Sequence, residues 1–246
     1  MPLALILVPG LMCDHAVWDD VVPHLGPEVS CHVVDHGNAD SLKDMAQQLL
    51  DQAPSRVLLA GHSMGARVAV EAFRLAPECV AGMALLDTGY LPRPSGTTGQ
   101  EEASKRMALL DIAKQQGVRA MAQVWSQGMV HPDRLSDQTL MRPILDMFER
   151  KSAETFAHQI HALLHRPNGQ EVLSRIRVPT LVLCGRQDAW SPVAQHQAMH
   201  QLIPGSTLSL IEHAGHMAPM EQPLAVAQAM KAWIATCHNA TQAASI

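Results

Sequence analysis

An open, doubly wound, mostly parallel α/β sheet of about six strands, interrupted by an inserted helical segment, is the fold class that this 246-residue sequence predicts. Three observations lead there. Six short, nearly continuous apolar runs bounded by breakers suit strands buried on both faces of a parallel sheet. Helix-length stretches alternate with them, the βαβ rhythm of right-handed crossovers. Between the fourth and fifth runs that rhythm gives way to helical periodicity alone.

The runs are Leu3 to Val8, Ser30 to Val34, Val57 to Ala60, Val80 to Leu86, Thr180 to Cys184 and Thr207 to Ile211. The helical stretches are His15 to Leu25, Ser41 to Gln52, Met64 to Ala76, Pro192 to Ile203 and Pro219 to Thr236. After Asp87 the Gly/Pro/Thr-rich stretch TGYLPRPSGTTGQ predicts a linker. Four helices are expected beyond it: Glu101 to Gln116, Val118 to Met129, Leu135 to Arg150 and Ala153 to His165. Pro143 stands inside the third, where it can kink or split the helix. Residues 1–88 and 171–246 are therefore expected to form the core, with 89–170 inserted in it. Fraying is expected from Asn239 onward.

Composition narrows the function. Hydrophobic residues at 47% against 17% charged exclude a disordered chain. Aromatics are only 3% while methionines number 14, so aliphatic and thioether side chains must fill the core. A formal charge of −5, with no long Lys/Arg run, argues against a nucleic-acid partner. The opening MPLALILVPG lacks a basic leader and is too short to span a membrane, so the expected location is cytoplasmic, with no membrane partner. Five scattered cysteines (Cys13, Cys31, Cys79, Cys184 and Cys237) form no CxxC pair, and no HExxH spacing occurs, so neither a disulfide framework nor a metal site is expected.

The strongest chemical signal is GHSMG at residues 61–65, a GxSxG pentapeptide between an apolar strand and an amphipathic helix. Alone the pattern is weak; the strand-turn-helix context makes it specific. A serine on so tight a turn takes strained dihedrals and projects its hydroxyl above the sheet, while Gly61 and Gly65 remove side chains that would collide. The helix N-terminus then offers N–H groups where negative charge develops. Asp188 stands just past the fifth run and His216 just past the sixth, on the carboxyl side of strands where open sheets collect functional groups.

With GHSMG around Ser63, GRQDAWSP around Asp188, AGHMAPMEQP around His216 and VPGLMCD around Leu11, the chain resembles the α/β-hydrolase family over essentially its whole length. The resemblance implies that Ser63 is a nucleophile, His216 its general base and Asp188 the acid that orients it. It implies an oxyanion hole from the backbone N–H groups of Leu11 and Met64, a cap formed by the insertion, and no cofactor. Where the family usually has His-Gly, this chain has Pro9-Gly10, and with the first apolar run at Leu3 to Val8 the family's N-terminal hairpin is not expected here. The implied substrate is a small carboxylic ester or lactone.

Several residues compete for these roles. Asp87 is a rival to Asp188 as the acid, or else holds the hinge of the insertion or caps a turn. His213 competes with His216, although the Ala-Gly-His context favours the latter. His62 is expected to pack under the turn, Asp14 to cap the following helix and Cys13 to be inert. Trp125, Met121, Met129 and Met147 are the candidate substrate contacts, in a Met-rich wall that also includes Met107 and Met141, with Trp125 and Phe148 as its bulky members. The linker and the turn at Pro167 to Gly169 are its expected hinges. Arg67, four residues after Ser63, suits a helix surface; a few α/β-fold lyases of carboxylated substrates carry Arg there, which keeps a C–C hydrolase or lyase as an alternative. A non-enzymatic receptor is the third reading, and an intact Ser-Asp-His set counts against it.

Overall fold

The computed structural model describes residues 3–243. Six strands, β1 (Ala4–Val8), β2 (Cys31–Val33), β3 (Val57–His62), β4 (Val80–Leu86), β5 (Thr180–Gly185) and β6 (Thr207–Ile211), pair in the order β2-β1-β3-β4-β5-β6. Every pairing is parallel. All residues of β3, β4 and β5 are buried, which is why their runs carry no alternation. The edge strand β2 has only three residues, two of them exposed, and so offers little unpaired backbone to another chain.

The chain steps from β1 to β2 on one side and returns to β3 on the other. Connections therefore leave β1 and β3 in opposite directions, and a crevice opens beyond their carboxyl ends. Leu11 and Ser63 follow those two ends. Helix α1 (Leu42–Gln52) begins at Ser41, whose Oγ accepts the Asp44 N–H at 3.0 Å. Helix α2 (Met64–Leu75) starts directly after Ser63.

Helices α3 (Gly96–Gln116), α4 (Val118–Trp125), α5 (Gln138–Glu149) and α6 (Ala153–Leu164) lie between β4 and β5 in the chain. Helix α3 starts inside the stretch expected to be a linker. Gly99 packs so closely on the Pro94 carbonyl that any side chain there would overlap it, so tertiary contact overrides the local glycine signal. Pro143 does not split α5, whose buried face of Leu140, Met141, Ile144, Met147 and Phe148 carries the helix past the missing N–H. Where the insertion enters and leaves the sheet, the Gly169 N–H donates to the Tyr90 carbonyl at 2.8 Å, joining its two ends.

Helix α7 (Gln170–Arg175), unforeseen because it is short, leads back to β5, and α8 (Val193–Leu202) joins β5 to β6. The segment from His15 to Leu25 is not an α-helix but two 3₁₀ turns, His15–Val17 and Val22–His24; Pro23 lacks the donor a longer helix would need. The last predicted helix divides at Gln222, before Pro223, into α9 (Ala218–Glu221) and α10 (Pro223–Ala243). Fraying from Asn239 is thus overturned as far as Ala243; residues 244–246 lie outside the described region. Among the described residues no helix is long and apolar enough to cross a membrane.

The approach of α2 to β1 depends on one atom's absence. A Cβ on Gly65 would overlap the Val8 carbonyl and lie 2.6 Å from that of Pro9. Gly65→Ala should therefore lower unfolding free energy by about 1–3 kcal/mol through overpacking, read as a lower midpoint in urea. An unchanged midpoint would show that the turn can relax.

Candidate active site

The chemistry-bearing residues meet at the carboxyl edge of the sheet. Ser63 has φ 54° and ψ −116°, a conformation that a non-glycine residue keeps only when its surroundings hold it. Several contacts do so. The Ser63 N–H donates to the Leu86 carbonyl at 2.9 Å, and the Thr88 hydroxyl donates to the Ser63 carbonyl at 2.8 Å. The Thr88 N–H in turn donates to His196 Nε2 at 2.9 Å. A Cβ on Gly61 would fall on the backbone of Ala66, so glycine is required beneath the turn.

His216 Nε2 stands 2.8 Å from Ser63 Oγ, and its Nδ1 stands 2.8 Å from Asp188 Oδ2. The other Asp188 oxygen accepts the N–H groups of Trp190 at 2.8 Å and Ser191 at 2.9 Å. Burial pushes the Asp188 carboxyl up, but the imidazole of His216 and these N–H donors outweigh it and hold the group below its ordinary value. The His216 loop is itself fixed from two sides. Its own N–H donates to the Met129 carbonyl at 2.8 Å, and the buried Glu221 carboxyl accepts the N–H groups of Gly215 and His131, each at 2.7 Å.

Asp87 does not reach His216. It is wholly buried in a left-handed conformation (φ 47°), and one oxygen accepts the Gly185 N–H at 2.8 Å, tying the end of β4 to β5. Burial and then the Asp188 charge raise its carboxyl well above the ordinary value. The hinge role weighed for it is replaced by this strand tie. Asp87, Cys184 and Asp188 place ligand-type atoms within 4.8 Å, yet Asp188 is already engaged and burial drives the other two toward their protonated forms, a poor cation cage.

His62 is buried beside the turn and donates from Nε2 to the His216 carbonyl at 2.7 Å; burial, then the nearby imidazole of His216, push its pKa down to about 3. His213 is exposed. Asp14 caps the 3₁₀ turn after it, accepting the Ala16 N–H at 2.9 Å. The Cys13 thiol lies in the cavity wall, but burial and then the Asp14 charge push it up to about 12, leaving negligible thiolate.

A cavity of about 700 Å³ opens over Ser63. Leu11 and Met64 line it, as do Trp125 and Met129 of the four candidate substrate contacts. Met121 and Met147 do not: both are 0% exposed, packed in the interior. Met107 is 44% exposed and, like Met141, is absent from the wall, so of the Met-rich insertion only Met129 faces the site. The wall is aromatic instead. Trp125 stacks on Trp190 at 5.4 Å between ring centroids and leans on Phe148 at 5.3 Å and Phe156 at 5.7 Å. Trp190 also covers the His216 ring at 4.9 Å. Of four Trp, one Tyr and three Phe in the chain, these four surround one cavity.

The same cavity also has cationic lining. Arg67, Arg106, Arg166 and Lys105 line it with a single carboxylate, Glu102. Arg166 grips Glu102 through two bonds of 2.7 and 2.8 Å, and Arg106 holds the same carboxylate at 3.1 Å. Arg67 donates to the Leu91 carbonyl at 3.0 Å and, among the described residues, makes no ion pair. Burial, then Arg166 and Arg106, push its pKa down to about 9. Thr88, His196, Gln159, Arg106 and Arg166 carry no motif, and Glu221 sits unremarked inside AGHMAPMEQP; their placement arises from contacts that the fold makes.

A model of the alpha/beta hydrolase family matches residues 5–229. A pimeloyl-[acyl-carrier protein] methyl ester esterase of Photobacterium profundum is 29% identical over 242 residues, covering 94% of each chain. A putative carbamate hydrolase (RutD) of Pseudomonas syringae is 26% identical over 249 residues, covering 94% of this chain and 93% of the relative. A solved thermophilic esterase from Thermogutta terrifontis superposes with a TM-score of 0.84 at 26% identity, covering 97% of this chain and 91% of its own.

The buried imidazoles predict an acid limb of stability. His196 has its pKa pushed down to about 4 by burial, against about 6.5 in the unfolded chain. A depressed folded value means that below pH 6.5 the unfolded state binds the extra proton, so stability falls as pH drops from about 6.5 to about 4. His196→Gln should flatten that slope by up to about 1.4 kcal/mol per pH unit in urea unfolding. An identical slope in the variant would mean that His196 is not held neutral.

Proposed function

This chain belongs to the alpha/beta hydrolase family, and from its site we propose that it hydrolyses a carboxylic ester or lactone through an acyl-enzyme on Ser63. The observation that carries this reading is the continuous hydrogen-bonded line Asp188–His216–Ser63 at the tip of a strained strand-to-helix turn. Two relatives named for ester and carbamate hydrolysis support acyl chemistry.

In this mechanism His216 Nε2 takes the Ser63 hydroxyl proton as Oγ attacks the carbonyl carbon. Asp188 holds the imidazole with Nδ1 protonated and stabilises the imidazolium. The oxyanion is held by the N–H groups of Leu11 and Met64. Met64 is the first residue of α2, where backbone donors lack intrahelical acceptors, and each such donor contributes roughly 3 kcal/mol to the transition state. His216 then delivers its proton to the leaving oxygen, and after that alcohol departs it activates water to release the acid. No step calls on a cofactor. Residues 89–170 act as the cap; the aromatic wall contributed by α4, α5 and α6 supports that role.

One observation favours a substrate that also carries a carboxylate: Arg67 lies one turn of α2 beyond Ser63, about 6 Å along the axis, with no ion pair among the described residues. That feature serves an anionic ester and equally the C–C hydrolase or lyase alternative, which differ in the bond broken.

Ser63→Ala should lower kcat for p-nitrophenyl acetate by about 10⁴-fold or more with an unchanged unfolding midpoint. Asp188→Asn should lower it by about 10³–10⁴-fold and Asp87→Asn by less than about tenfold; equal or reversed losses would move the acid to Asp87. Arg67→Gln should raise KM for a carboxylate-bearing ester about tenfold or more and leave KM for a neutral ester within about twofold. Parallel changes for both would mean that Arg67 does not meet the substrate. The aromatic wall is stiffer than a Met-rich one, and acyl-chain profiling should show a preferred size, with about tenfold loss per added or missing pair of methylenes.

A further inference from the structure

The loop after β1, from Pro9 to Asp14, is held by partners from three distant segments. His36 Nε2 donates to the Pro9 carbonyl at 3.0 Å. Arg150, at the end of α5, takes both Asp14 oxygens at 2.7 and 2.9 Å. At the centre of the loop, the Met12 N–H donates to Gln159 Oε1 at 2.7 Å. Gln159 belongs to α6, 147 residues away, and is only 2% exposed. Only the amide oxygen can face a backbone donor, so the side chain's orientation follows from chemistry.

Met12 needs that partner. It is fully buried with φ 61°, a left-handed conformation unusual for an unbranched apolar residue. The turn around it is closed by the Cys13 N–H donating to the Gly10 carbonyl at 3.0 Å. Between those two residues lies Leu11, whose N–H direction is set by the peptide leaving Gly10. Gly10 itself runs so close to the nucleophile that an added Cβ would lie 3.0 Å from His62 Nδ1 and 3.1 Å from the Ser63 Cβ. A loop with so little room on one side and a strained residue on the other keeps its shape only if the buried Met12 N–H stays satisfied.

We propose that Gln159 is a positioning residue for the reaction: by accepting the Met12 N–H it holds the left-handed turn that aims the Leu11 N–H at the developing oxyanion. The inserted helices thereby complete the catalytic loop as well as roofing the cavity. This rests on the hydrolase reading above, in which Leu11 is one of the two oxyanion donors. Displacing such a donor by about 1 Å costs on the order of 10²-fold in rate and acts on the transition state more than on the bound ester.

The test uses the whole chain with Gln159→Leu, which removes the acceptor at similar volume, and Gln159→Glu, which keeps it. Should the Leu variant not fold, Gln159→Met takes its place. Turnover of p-nitrophenyl butyrate is measured beside inhibition by an alkyl trifluoromethyl ketone, whose adduct with a serine carries an oxyanion where the tetrahedral intermediate does. In the Leu variant kcat should fall about 10- to 100-fold with KM within about threefold, and Ki for the ketone should rise by the same factor. The Glu variant should recover both to within about threefold of the wild-type protein. A Leu variant with unchanged kcat and Ki, a kcat loss with no change in Ki, or a Glu variant as impaired as Leu would each overturn the proposal. A wild-type chain that neither turns over the ester nor binds the ketone would overturn the hydrolase reading instead, and this one with it.

Discussion

The backbone of Ser63, held at φ 54° and ψ −116°, is the constraint around which the rest of the molecule is arranged. Such a conformation costs on the order of 1–3 kcal/mol and persists only where neighbours leave no alternative. Gly61 and Gly65 let β3, α2 and β1 close to distances that no side chain would permit. Thr88, with His196 behind it, clamps the serine carbonyl, and the Leu86 carbonyl takes its N–H. The hydroxyl is thereby directed away from the sheet toward His216. The dense parallel core is the rigid support against which that turn is stressed.

A second consequence concerns the insertion between β4 and β5. Its helices are bonded to both loops that flank Ser63: Gln159 and Arg150 to the loop after β1, and Met129 and His131 to the loop that carries His216, the latter through Glu221. Trp125 stacks on Trp190, which follows Asp188 and covers the His216 ring. His216 and Asp188 beneath this cluster are 5% and 3% exposed, and a hydrogen bond in such a setting is less screened than one in water. The same cavity is lined by Arg67, Arg106 and Arg166, so apolar and cationic side chains share it.

The sheet was legible in the sequence because continuous apolar runs and glycine-marked turns are local signals; all six strands appear where Leu3 to Ile211 showed them. The residues that meet at the site were legible for the same reason, since GHSMG, Asp188 and His216 each follow a strand end. What was not legible depends on contacts across the fold. Helix α3 begins in a glycine-rich stretch because Gly99 must lie on Pro94, and the segment from His15 to Leu25 coils into 3₁₀ turns around Pro23. Periodicity told that Met121 and Met147 belong to an apolar face, but not that both pack inside the insertion while Phe156 joins Phe148 and Trp125 at the cavity. Gln159 gave no signal, and Glu221 stood unremarked inside AGHMAPMEQP; each acts through backbone N–H groups that the fold brings to it.

If Ser63 carries the acyl group during turnover, as proposed, that species can be trapped. The chain would be mixed with p-nitrophenyl acetate, quenched in acid within the first turnovers, digested and analysed by mass spectrometry. An acetyl group on the peptide containing Ser63, absent after quenching a fully deacylated sample, is the expected result. Acetylation at Cys13 in the cavity wall, or steady turnover with no adduct on Ser63, would contradict it.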